Sequence, residues 1–257
     1  YSFPVTTQST EAQKWFDRGI LWTYGYNHEE AVMCFERAIG ADPKCAMAYW
    51  GAGYASGPNY NMPWDLFDYA GRAAAARAGY ANARKALDMI DGVTRWEAAL
   101  INALPARYPQ PEPLDPEVMK AWNADFTDAM RDVFAVHPES HEVRTVFAES
   151  LLNLTPWKMW DLPSGQPASG ARTVEAQKVL EEALEGDPSA LYHPGLLHLY
   201  VHLMEMSPFP EKALKAGDAL RRLVPDAGHL IHMPTHIDIL CGHYQNAVDW
   251  NEAAIEA

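Results

Sequence analysis

Basic residues are scarce in this chain of 257 residues: 20 Lys and Arg stand against 34 Asp and Glu, a formal net charge of −14. A field of that sign repels a phosphate backbone, so no nucleic-acid partner is expected. Cysteine is scarcer still. Cys34, Cys45 and Cys241 are odd in number and none belongs to a C-x-x-C pair, which excludes a disulfide scaffold and gives a reducing, cytoplasmic expectation. No run approaches the ~18 uncharged apolar residues of a spanning helix, so no membrane partner is expected. The chain opens at Tyr1 with no basic and then apolar segment, so a targeting segment is expected to have been removed or never present. A Gly-rich phosphate loop, a G-x-S-x-G elbow and an H-E-x-x-H helix are also lacking, which removes three common enzyme classes.

What remains is an ordinary globular mixture, 48% apolar and 21% charged, of a length that suits one or two domains. Self-comparison is decisive for its organisation. The tetratricopeptide (TPR) pattern W-x2-L-G-x2-Y, then A-x3-F, then Pro, fits Trp15, Gly19, Trp22, Ala31, Phe35 and Pro43, with Arg18 where Leu is usual. Tyr49 and Gly53 stand 34 residues after Trp15 and Gly19. Repeat endings return at Ala176, Leu180, Ala183 and Pro188, at Ala213, Leu220 and Pro225, and at Gly242, Tyr244, Ala247 and Ala254. Small residues let paired helices approach, and aromatics fill the seams.

The expectation is therefore all-α: a TPR-type α-solenoid of antiparallel helix pairs in a right-handed superhelix. Its boundaries are a single array over residues 1–257, regular over about 11–56 and 171–257 and degenerate over about 63–160. First helices are expected at about 11–24, 45–56, 194–206 and 229–241, loops at 109–113 and 162–170, and no sheet. With the last repeat uncapped, Val248 and Ile255 are expected to lie bare and to favour self-association.

Histidine carries the chemistry. Of ten in the chain, His193, His198, His202, His229, His232 and His236 crowd the last third. His198-x3-His202-x2-Glu205 puts three ligand-type groups on one helix face, and His229-x2-His232-x3-His236 does the same. His232 and His236 follow His198 and His202 by 34 residues, so equivalent positions of adjacent repeats hold the same residue. Helices roughly 8–10 Å apart let such rings converge on one or two ions, and imidazole with carboxylate suits Cu, Zn or Fe better than Mg or Ca. The metal-ligand candidates are His198, His202, Glu205, His229, His232 and His236, with Glu205 also the candidate catalytic base. The bland alternative is a polar lining that includes Asp238. His28 in the first turn and the loop Asn59-Tyr60-Asn61 are lesser candidates for contact with a ligand; Trp157 and Trp160 could wall a pocket or fill an irregular repeat.

The strings Tyr26-Asn27-His28-Glu29-Glu30-Ala31, Gly57-Pro58-Asn59-Tyr60-Asn61, His193-Pro194-Gly195 and His229-Leu230-Ile231-His232-Met233-Pro234-Thr235-His236 resemble a family of bacterial and fungal TPR proteins of largely unassigned function. The resemblance implies a TPR fold over most of the chain and leaves the activity open. Two readings follow: a metal-binding TPR protein doing oxidative or hydrolytic chemistry on a small molecule, or a non-catalytic adaptor holding a partner peptide in the same groove.

Overall fold

Ser9 accepts a hydrogen bond from the Ala12 N–H at 3.1 Å, and Asn27 accepts one from Glu30 at 3.3 Å. These N-caps open α1 (Thr10–Tyr24) and α2 (His28–Ala41) in the computed structural model, which describes residues 1–257. Contacts divide the chain into two compact units, Tyr1–Asn153 and Leu154–Ala257. The first continues through α3 (Ala46–Ala55), α4 (Tyr69–Leu87), α5 (Arg95–Ala103), α6 (Pro116–Val136) and α7 (His141–Leu152). The second holds β1 (Trp160–Asp161), β2 (Gln166–Pro167), α8 (Thr173–Gly186), α9 (Pro194–Met204), α10 (Leu214–Leu220), α11 (Gly228–His232), α12 (Pro234–Leu240) and α13 (Tyr244–Glu256). The chain is all-helical apart from the two-residue antiparallel β1–β2 ladder. No helix is long and apolar enough to cross a membrane.

In the first unit, packing depends on what α1 and α3 leave out. A Cβ added to Gly19 would stand 2.7 Å from the Phe35 ring, and one on Gly51 only 2.4 Å. Phe35, on α2, is thus wedged between two bare backbones and fully buried, worth about 1.5–3 kcal/mol of apolar burial. Trp50 donates its indole N–H to the Leu100 carbonyl at 3.1 Å and stacks on Tyr54. Further along, Arg107 is fully buried, donates to the Pro58 carbonyl and lies over the Tyr54 and Phe126 rings. Tyr54 in turn donates to the buried Glu149 carboxylate.

The second unit departs from expectation in three places. The helix expected over 229–241 is broken into α11 and α12, because Pro234 has no N–H to continue the ladder; His236 bonds back only three residues, to the Met233 carbonyl at 3.2 Å. Part of the expected 162–170 loop forms β2 and pairs with β1, so Trp160 is buried with its indole donating to the Leu203 carbonyl at 2.7 Å, a core residue and not a pocket wall. Asp238 belongs to no polar lining: it is sealed in an ion pair with Arg221 at 2.8 Å, both side chains 1% exposed. Val248 and Ile255 are exposed, as are Tyr244, Ile239 and Leu240.

The wedge yields a paired prediction. Gly51→Ala should lower stability by about 1–3 kcal/mol through overpacking against Phe35. Gly40→Ala, on the exposed end of α2 with nothing near its added Cβ, should raise it by about 0.5–1 kcal/mol. Urea-denaturation midpoints of the two variants moving the same way would refute the wedge.

Candidate metal centre

Pro194 starts α9, and the His193 ring nitrogen Nδ1 accepts from the Leu196 N–H at 3.2 Å. That cap sets the phase of the helix, so His198 and His202 emerge one turn apart with ring centroids 4.6 Å from each other. Both are almost fully buried. Glu205 follows as the C-cap. From α11, His229 reaches across until its Nε2 is 3.1 Å from that of His198. One donor nitrogen each from His198, His202 and His229 lies within 4.8 Å of the others.

The remaining candidates form a second cluster beside the first. Glu205 uses both carboxylate oxygens on imidazoles: His202 Nδ1 at 3.0 Å and His236 Nδ1 at 2.6 Å. His236 Nε2 in turn faces His232 Nε2 at 3.0 Å. His232 Nδ1 meets the Asn251 side-chain oxygen at 2.6 Å. The orientation of that amide is fixed, because its Nδ2 donates to the Ala247 carbonyl at 2.7 Å and to Thr235 Oγ1 at 3.2 Å. All six sequence candidates therefore stand in one region of α9, α11 and α12, with Glu205 engaged by two rings at once.

Protonation follows from these partners. A carboxylate and a carbonyl oxygen can only accept, so Nδ1 of His236, His202 and His232 each carries the hydrogen. With Nδ1 so committed, Nε2 of His232 and of His236 face each other 3.0 Å apart. Nitrogens at that distance are joined either by a hydrogen on one of them or by a metal ion between them. Metal–nitrogen bonds of 2.0–2.1 Å place adjacent ligands roughly 2.9–3.4 Å apart. The His232–His236 and His198–His229 separations match that edge, and His202 completes a three-nitrogen set. Such donors suit zinc, copper or iron, and leave magnesium and calcium poorly served.

Burial, followed by the charges of His202, His232 and His236, pushes the His229 imidazole down to about 3. Burial lowers His202 as well, against the pull of Glu205. Burial alone would raise Glu205, but hydrogen bonds from His202 and His236 outweigh it and hold the carboxyl at about 2. Two imidazoles, His202 and His229, are thus favoured in the neutral form beside one ionised carboxylate.

No family model matches the chain, and no curated protein matches it either.

Two participants escaped the sequence. Asn251 sits 19 residues from His232 with no motif joining them. Arg221, which anchors α12 through Asp238, resembles any surface arginine of a helix end. His28 lies in the other unit, Tyr1–Asn153.

The His229 shift makes a signed prediction for chelator-treated protein. Its folded value, about 3, lies below the ordinary 6.5, so between those values the unfolded chain takes up a proton that the folded chain refuses. Its contribution to stability is complete above pH 6.5 and declines as pH falls toward 3, by up to about 1.4 kcal/mol per pH unit for one group. Glu205 adds loss in the same direction below about 4.5. Urea midpoints at pH 7.5, 6 and 5 should fall in order, and His229→Gln should flatten the trend by about one proton; an unchanged slope in that variant would contradict the assignment.

Proposed function

We propose that the protein is a transition-metal-binding helical-repeat protein of TPR type, with its metal held by histidines of α9, α11 and α12. The observation that carries this reading is the convergence of one donor nitrogen each from His198, His202 and His229 within 4.8 Å of one another, with the Nε2 atoms of His232 and His236 facing each other at 3.0 Å beside them and Nδ1 of those two rings turned to Asn251 and Glu205. Imidazole nitrogens gathered this closely are what a bound transition-metal ion requires. The repeat reading is supported by the coincidence of the Trp15 to Pro43 pattern with α1 and α2. The 34-residue register of the two histidine pairs, one on α9 and the other across the α11–α12 break, agrees with it.

His198, His202 and His229 are the ligand set of first choice, with His232 and His236 as the second pair. Glu205 positions His202 and His236 by accepting from both, fixing which nitrogen each ring presents. Asn251 does the same for His232. Such a bound ion supplies Lewis acidity or, if copper or iron, one-electron chemistry, so hydrolysis and oxidation are the reaction classes to test. The half-exposed His236 ring gives a small substrate its approach.

Reconstitution tests this directly. Protein purified without affinity nickel, loaded separately with zinc, copper or iron and desalted, should retain at least one equivalent of one of them. His202→Ala/His236→Ala should lose that retention with its far-ultraviolet circular dichroism unchanged. Glu205→Gln keeps every histidine but can satisfy only one ring, and should weaken affinity about 10–100-fold. Less than a tenth of an equivalent in the parent, or undiminished affinity in the double variant, would leave the peptide-adaptor reading in its place.

A further inference from the structure

A second feature, in the unit Tyr1–Asn153, has no part in metal chemistry. A cavity of about 670 Å³ opens beside α2, with Tyr26, His28, Val32, Asn59, Met62 and Phe67 on its walls. Its size is that of an ordinary small-molecule site, and its walls are mainly apolar with a few polar groups, as such sites usually are.

Three observations bear on what it holds. Asn59 is 4% exposed. Its Oδ1 is committed to the N–H groups of Asn61 and Met62, both at 2.9 Å, so the group it has left for the cavity is the Nδ2 donor. The loop that carries it is fixed from beneath, because buried Arg107 donates to the Pro58 carbonyl and Asn59 bridges Met62 through the backbone. Tyr26, which walls the cavity, is held at φ 57, a left-handed conformation that a side chain adopts only at a cost and that is often retained where it serves a site.

Charge narrows the occupant. Glu29 is the one formally charged residue on the lining. Burial and the nearby Arg107 charge hold His28 down at about 4, and its ring nitrogens are sealed from solvent, so it brings no charge to the lining. An anion would meet no cation here and would enter against a net charge of −14. An ammonium would find its one anionic partner in Glu29, which is exposed to solvent, and would bring donors to the buried Asn59 donor. We propose that this cavity binds a small uncharged molecule with a carbonyl oxygen on an aromatic or branched apolar body, the Asn59 amide donating to that oxygen.

Three probes with one body and different heads test this: benzamide, benzoate and benzylammonium, each added to the full chain and followed by saturation-transfer NMR. Benzamide should bind with millimolar affinity and both ions more weakly. Asn59→Asp keeps the Oδ1 that caps Asn61 and Met62 while losing the donor, and should weaken benzamide about tenfold. Val32→Trp, on half-buried surface of α2, fills the cavity without touching the loop and should abolish binding. Any one of these results overturns the proposal: no benzamide signal, an ion bound as well as benzamide, benzamide retained by Val32→Trp, or full affinity in a folded Asn59→Asp. A benzamide signal that disappears with a chelator or in His202→Ala overturns it too, by placing the probe at the histidines.

Discussion

Two imidazole N–H groups from different helices end on the Glu205 carboxylate, His202 from α9 and His236 from α12. The orientation of the histidine cluster depends on that shared acceptor. With Nδ1 of each ring spent on Glu205, the nitrogen left to a ligand is Nε2 in both cases, and His232 is turned the same way by Asn251. Without the carboxylate, each of the two rings could adopt either tautomer. With it, the His236 Nε2 is left facing the His232 Nε2.

Holding three short helices so that this happens requires support from outside the cluster. Arg221 and Asp238 supply part of it, pairing at 2.8 Å where neither is exposed, while a Cβ on Gly217 would stand 3.1 Å from Pro234, so α10 approaches the start of α12 closely. Burying an ion pair adds little net stability, but removing one partner is expensive, typically about 3–5 kcal/mol. The pair therefore acts as a constraint on where α12 lies, and the break at Pro234 gives α11 and α12 independent directions. The other unit uses the same device: Arg107 is buried among aromatic rings and tied to a carbonyl of the Gly57–Asn61 loop.

Much of this was legible in sequence, for reasons that also set the limit. The spacing of Trp15, Gly19, Ala31 and Phe35 is local, and α1 and α2 fall where it places them. Register arithmetic brought His198, His202, His232 and His236 forward as a group, and they lie in one region. Periodicity says nothing where a helix is buried on every side: residues 143–152 of α7 are all buried, so no polar face marks it. The capping box of Thr94 and Glu97 was a readable start for α5 that an apolar count passes over. Which ring nitrogen carries a hydrogen, and that Asp238 turns to Arg221 while Asn251 turns to His232, are decided by contacts across 17 and 19 residues, and no spacing rule covers them.

The central claim is that these histidines surround a transition-metal ion, and anomalous diffraction from a metal-loaded crystal at the absorption edge of that metal tests it most directly. The account predicts a peak within bonding reach, about 2.0–2.1 Å, of the His198, His202 and His229 ring nitrogens, with Glu205 still bridging His202 and His236. A loaded crystal whose anomalous peaks lie only at surface carboxylates, or at none of these rings, would contradict it.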